Sequence, residues 1–160
     1  MKCSSVKEPL TYEIRTDGKD CLIVFADNIK KRTVKSDEDD AAVTEYQYDR
    51  YELNAPYRDS LEEDIDSEYE IWLKKAKQTE IDKLSAEVRN KRNELLAESD
   101  SAFCIDRIFA DMSSISATAL SSKFKELANS DIAKYRQQLR DIPQQDGFPY
   151  EVTFPAKPVD

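Results

Sequence analysis

The chain has 160 residues and a formal net charge of −9, from 24 basic and 33 acidic side chains, with no histidine. This length suits one domain, or a small domain with an extended element. The missing histidine removes the usual neutral-pH base, and the acidic excess opposes contact with a phosphate backbone, so we expect a non-enzymatic protein that does not bind nucleic acid directly.

Cofactor and metal motifs are missing from the sequence as well. Gly18 and Gly147 are the only glycines and lie far apart, so no glycine-rich phosphate loop can form. Cys3, Cys21 and Cys104 lack the spacing of metal ligands, and their odd number argues against a disulfide framework. We therefore expect no cofactor and no metal site.

Residues 1–56 are predicted to form a small antiparallel β meander of three or four strands. Leu10, Tyr12 and Ile14 alternate with polar residues, which is the period of a half-buried strand, and Asp17-Gly18 is a strong hairpin signal. Further strands are predicted at residues 21–25, 31–34 and 43–53, with a polar loop at 36–40.

Residues 57–100 are predicted to form one long helix that begins near Ser60. Ser60 and Glu63 have the spacing of a capping box, and no proline or glycine interrupts the segment. About forty helical residues would extend roughly 60 Å. Leucines recur every eleven residues along one stripe, at Leu73, Leu84 and Leu95. We expect so short a chain to leave part of this stripe uncovered, which predicts self-association or a bound partner along the helix.

Charges are sorted along this predicted helix, with a run of carboxylates at its start and lysines and arginines further on. The carboxylates are Asp59, Glu62, Glu63, Asp64, Asp66, Glu68 and Glu70. The simplest interpretation is a solvated face that complements the helix dipole. A second interpretation is antiparallel coiled-coil pairing of two copies. A third is an acidic inhibitor, in which these carboxylates imitate nucleic-acid phosphates and block a nuclease.

Residues 101–160 are predicted to form short helices followed by an extended tail. One helix is indicated through 103–112, a second through Leu120, Phe124 and Leu127, and a third after an N-cap at 129–131. Four prolines after residue 142 exclude a helix from the last segment. The complete pattern predicts the α+β class, with a β meander, one long central helix, short C-terminal helices and a tail rich in proline and aromatic residues.

The C-terminal segment carries a combination of short motifs. They are Tyr135-Arg136, Leu139-Arg140-Asp141-Ile142-Pro143, Gly147-Phe148-Pro149-Tyr150 and Phe154-Pro155. With residues 91–100, this segment (131–158) resembles the short module of phage tail assembly chaperone proteins. The resemblance implies a phage or prophage protein of tail morphogenesis, either an assembly chaperone or a fibre-associated adaptor that binds another tail protein.

The same motifs supply the candidate partner-binding residues. They are Tyr135, Arg136, Leu139, Arg140, Phe148, Pro149, Tyr150, Phe154 and Pro155. One interpretation makes five of them a local core, because aromatic side chains at such spacing usually pack on their own helices; these five are Tyr135, Leu139, Phe148, Tyr150 and Phe154. The other makes part of this surface a binding groove with arginines at its rim, since aromatic residues and arginine are enriched at interface hot spots.

The sequence also indicates where the protein is located in the host cell. No apolar run approaches the length of a membrane span, and the first residues lack the apolar stretch of a signal peptide, so we expect the host bacterial cytoplasm. A structural component that stays in the finished virion tail is the alternative to a chaperone. The sequence does not separate these two possibilities.

Overall fold

The computed structural model of the protein describes residues 1–35, 42–100, 104, 109–110, 112 and 116–158. The chain divides into two compact units, Met1–Asp82 and Lys83–Asp160. The predicted loop at 36–40 and most of the predicted helix through 103–112 lie outside the described residues. The α+β class is confirmed, with a sheet at the N-terminal end of the chain and helices after it.

The first unit contains a four-stranded antiparallel sheet. Its strands are β1 (Lys2–Ser5), β2 (Tyr12–Asp17), β3 (Asp20–Lys35) and β4 (Ala42–Pro56), in the spatial order β1-β4-β3-β2. The register of β2 and β3 pairs Asp17 with Asp20, which leaves Gly18 and Lys19 as a two-residue loop. Gly18 has a φ of 69°, a left-handed conformation that glycine adopts without steric cost. The predicted hairpin is therefore confirmed.

β3 corrects the predicted strand boundaries. The segment 31–34 was expected as a separate strand, but it continues β3 beyond an irregularity in the register between Asp27 and Lys30. Asn28 lies inside this bulge with a φ of 52°, and a bulge of this kind bends a strand without ending it. β1 was not among the predicted strands, because only four residues pair with β4.

Alternate residues of β3 form the centre of the first core. Cys21, Ile23 and Phe25 are buried, as are apolar side chains of the helices that follow the sheet. These are Leu61, Ile65, Leu73 and Ala76. Full burial of one such aliphatic or aromatic side chain is worth about 1.5–3 kcal/mol, so this cluster supplies much of the stability of the first unit.

The predicted single helix is interrupted at one residue. α1 (Leu61–Ser67) ends at Glu68, whose φ of −130° departs from helical geometry, and α2 (Tyr69–Glu98) begins directly after it. Glu68 accepts hydrogen bonds from the amides of Ile71 and Trp72 through its carbonyl oxygen, so a new hydrogen-bond series starts there. The long helix is thus α2, with 30 residues and a length of about 45 Å.

The predicted capping box at the start of α1 is wrong. Ser60 is the N-cap residue, but its side chain makes no capping hydrogen bond. Its hydroxyl donates instead to the Asp64 carboxylate at 3.3 Å, and Arg58 pairs with the same carboxylate at 2.7 Å. The Ser60 hydroxyl is therefore hydrogen-bonded to the Asp64 carboxylate and not to a backbone amide, as a capping box would require.

The two units divide the apolar stripe of α2 between them. Leu73 belongs to the first core, and Val88 and Leu95 pack against the second. Leu84 is half-buried. Leu73, Val88 and Leu95 are therefore covered by other parts of the same chain, and self-association through the helix remains a prediction.

The second unit contains the C-terminal part of α2 and two further helices. α3 (Ala117–Asn129) and α4 (Asp131–Asp141) are joined at Ser130, and a short 3-10 helix (Ile142–Gln144) follows α4. Ser130 confirms the predicted N-cap, because its hydroxyl accepts from the Ala133 amide at 3.3 Å. The rest of the described chain, to residue 158, is turn and extended tail, and its Phe148–Pro149 peptide bond is cis. Among the described helices, none has an apolar stretch of the length and hydropathy that a membrane span requires.

Candidate functional site

The predicted partner-binding residues lie in the second unit, and part of this set forms its core. Tyr135, Leu139 and Ile142 are buried side by side. Apolar side chains from α2, α4 and the tail pack around them, namely Val88, Leu95, Leu96, Ile132, Phe148, Val152 and Phe154. Pro149 is also buried. Tyr135 and Leu139 are thus core residues, as the interpretation of a local core expects, and Phe148 and Phe154 pack on them.

Arg136 holds the C-terminal end of α2. Its guanidinium donates to the carbonyl oxygen of Leu96 at 2.8 Å and to the Ser99 hydroxyl, and pairs with the Asp100 carboxylate at 2.7 Å. The last carbonyls of a helix have no partner within the helix, and a cationic side chain also suits the negative end of the helix dipole. The Arg136 side chain is only 14% exposed. Arg136 therefore links α4 to the end of α2. The sequence had suggested a different position for it, at the rim of a binding groove.

The tail is attached to the module by the Gln145 side chain, which bonds to its backbone as a neighbouring strand would, and by one backbone hydrogen bond. The side-chain amide of Gln145 makes two hydrogen bonds to the backbone of Thr153. Its nitrogen donates to the Thr153 carbonyl oxygen at 2.9 Å, and its oxygen accepts from the Thr153 backbone N–H at 2.8 Å. Between them, the Glu151 amide donates to the carbonyl oxygen of Gly147 at 2.7 Å. A Cβ atom on Gly147 would clash with the Glu151 carbonyl oxygen, so this turn requires glycine.

Two basic side chains of α2 cover aromatic rings of the tail. Arg89 lies 5.3 Å from the ring centroid of Phe148, and the Lys91 ammonium lies 4.8 Å from that of Phe154. Cation–π contacts of this kind contribute about 0.5–1 kcal/mol at exposed sites. They hold both rings against α2 and leave them half-buried.

The remaining members of the predicted set lie at the surface. Arg140 is exposed on α4, and the Tyr150 side chain is 57% exposed in the tail. Pro155 is half-buried beside Phe154. The module thus presents Arg140 and Tyr150, with the outer parts of Phe148, Phe154 and Pro155, on a core that fixes their positions.

The acidic segment of the first unit is divided by the break at Glu68. Six of the seven carboxylates are exposed and Asp64 is half-buried, and two of the seven, Asp64 and Asp66, have partners within the fold. Asp64 pairs with Arg58, and Asp66 accepts from the Tyr12 hydroxyl at 2.6 Å. Because α1 ends before Glu68, the seven carboxylates do not share one continuous helix.

The hydrogen bond between Tyr12 and Asp66 has an electrostatic consequence. It raises the pKa of Tyr12 from 10.0 to about 12, because the phenolate form would lose this bond and face the negative charges of Asp66 and Glu62. Ring contacts with Phe25 and Tyr69, at centroid distances of 6.2 and 6.4 Å, hold the phenol in place. We attribute a structural role to this pair.

Within the part of the chain that the structure describes, no group of three or more Cys, Asp or Glu side chains is close enough together to hold a metal ion.

Fold and surface define the chain as an α+β protein whose C-terminal unit is a helical module with a fixed, aromatic tail. Residues 85–159 match the family model of the phage tail assembly chaperone protein, which confirms the resemblance of this module to that family. The match covers just under half of the chain and includes residues 101–130, which the resemblance had left out. Neither the curated proteins nor the solved structures contain a match to the chain.

Proposed function

We propose that the protein is a non-enzymatic assembly chaperone or fibre-associated adaptor that binds another phage tail protein in the bacterial cytoplasm. The observation that supports this proposal is the family match over residues 85–159, which covers almost all of the second unit, Lys83–Asp160. The absence of histidine from the sequence is consistent with binding as the activity of the protein.

The proposed contact surface is the exposed part of the module. Arg140 and Tyr150 are the residue types that most often carry binding energy at interfaces, and both are exposed. The half-buried rings of Phe148 and Phe154 supply apolar area beside them. Because the core and the hydrogen bonds of Gln145 fix the tail, a partner would meet a preorganised surface and would not have to order it.

Co-expression tests the proposal. The tagged chain is expressed with each tail protein encoded in the same phage genome, and we expect one of them to co-purify. The double variant Arg140→Ala/Tyr150→Ala should bind that protein at least about tenfold more weakly, because it removes two hot-spot residue types. Gln138→Ala changes an exposed polar residue of the same helix and is the matched control. Retention of no tail protein by the unmodified chain would contradict the proposal.

Two further measurements separate the alternatives. A chaperone should be depleted from purified phage particles in mass spectrometry, whereas a structural tail component should be present in fixed proportion. A nucleic-acid mimic should inhibit a host defence nuclease in a salt-sensitive manner, and neutralising Glu62 and Glu63 should abolish the inhibition.

A further inference from the structure

α3 is an amphipathic helix whose apolar side is not used by the described core. Leu120, Phe124 and Leu127 follow the i, i+4, i+7 spacing and lie on one side of the helix. No residue of α3 is buried, and the Phe124 side chain is 57% exposed. Among the described residues, neither the buried cluster of the second unit nor the apolar side chains packed on it include a member of α3.

The neighbouring helix shows what is unusual about α3. Both helices begin with a serine N-cap, since the hydroxyls of Ser116 and Ser130 accept from backbone amides of the first turn. α4 buries two of its side chains in the core, and α3 buries none. Isolated helices of about 13 residues are marginal in water and depend on packing of their apolar side for stability. α3 therefore has a capped start, and its described apolar side chains are at most half-buried, unlike those of α4.

We propose that the apolar side of α3 docks into an apolar cleft on the tail protein that this chain binds. Recognition of a helix in a groove uses anchors at i, i+4 and i+7, which correspond here to Leu120, Phe124 and Leu127. The central and most exposed anchor is the Phe124 ring. This inference rests on the proposed function, and it names both the binding element and the shape of the surface that receives it.

The area available on α3 favours a cleft over a second copy of the chain. Two α3 helices packed face to face would bury two partly exposed phenylalanines and the outer parts of four half-buried leucines. That is on the order of 500 Å² in total, given about 150–250 Å² for a whole buried aromatic side chain. Stable interfaces bury at least about 1,200 Å². A cleft also encloses the flanks of the helix, which a second helix of the same size leaves exposed.

The test uses the tail protein that co-purifies with the unmodified chain. Binding is measured by titration calorimetry with Phe124→Ala, with Phe124→Leu and with the control Ser122→Ala, which alters the opposite side of α3. We expect Phe124→Ala to weaken binding at least about tenfold, Phe124→Leu to recover most of the loss, and Ser122→Ala to change affinity less than about twofold. In hydrogen exchange on the unmodified complex, the α3 amides should become protected.

Each other result has a defined meaning. Full affinity of Phe124→Ala together with unprotected α3 amides would overturn the docking inference and leave the proposed function intact. Absence of any bound tail protein would instead refute the proposed function, and the docking inference with it. If the free chain sediments as a dimer that Phe124→Ala dissociates, the occupant of this surface is a second copy and the cleft is wrong. Equal thermal melting of Phe124→Ala and the unmodified chain controls for unfolding.

Discussion

The two units build their cores from different kinds of structure. In the first unit, alternate residues of β3 face inward, and the neighbouring strands satisfy the backbone hydrogen bonds of that strand. In the second unit, three buried residues from α4 and the 3-10 helix form the centre, and an extended tail without a strand ladder packs around them. Side chains therefore provide hydrogen bonds that strands provide in the first unit.

This difference separates the residues on which each unit depends. The first unit depends on the volume and shape of side chains such as Ile23 and Phe25, since its polar backbone groups are paired by the sheet. The second unit depends as well on a few polar side chains, above all Arg136 and Gln145, which hold a helix end and the tail. Substitutions at these two kinds of position should therefore act through different causes.

Phe25→Ala should have the largest effect on stability. Phe25 is fully buried, and loss of a buried phenylalanine typically costs about 3–5 kcal/mol, from lost burial and from the remaining cavity. Urea unfolding followed by the fluorescence of Trp72, the only tryptophan, reports directly on the first unit. Phe124→Ala removes the same side chain from an exposed position and should change the free energy of unfolding by less than about 0.5 kcal/mol. Similar losses for both variants would contradict the description of the first core.

Arg136→Met should destabilise the second unit by about 1.5–3 kcal/mol, the usual contribution of hydrogen bonds to a charged group. Methionine keeps apolar length but leaves the Leu96 carbonyl and the Ser99 hydroxyl without the guanidinium. Hydrogen exchange at the α4 amides measures this loss, and Arg140→Met on the exposed side of α4 is the control. Equal protection in the two variants would show that Arg136 does not hold the helix end.

The sequence predicted those parts of the fold in which local pattern and tertiary structure agree. Asp17-Gly18 between two apolar runs indicated the hairpin, because few residues other than glycine tolerate the left-handed backbone of such a loop. The serine N-cap of α4 followed from the same kind of local chemistry. The motifs from Tyr135 to Pro155 indicated the module whose family model matches residues 85–159.

The parts that were missed depend on contacts between residues distant in sequence. Asn28 gives no local sign that β3 continues through a bulge, and Glu68 resembles any other helical residue although α1 ends there. Arg136 acts on a helix end some forty residues earlier in the chain, and no spacing rule indicates that pairing. Likewise, the exposure of α3 could not be predicted, because its amphipathic pattern is the same whether or not the chain covers it.

The smallest expected effect concerns Tyr12 at high pH. Its pKa is raised from 10.0 to about 12 in the folded chain, so the neutral phenol is favoured by folding. The stabilisation is therefore complete below pH 10 and is lost as the pH rises from 10.0 to about 12.

In absorbance titration, Asp66→Asn should move the pKa of Tyr12 down toward 10.0, as judged by difference from Tyr12→Phe in the same background. Glu63→Gln neutralises an exposed carboxylate of the same helix that does not contribute to this shift and should leave the titration unchanged. A curve for Asp66→Asn that coincides with that of the unmodified chain would show that the Tyr12–Asp66 hydrogen bond is not the cause of the raised pKa.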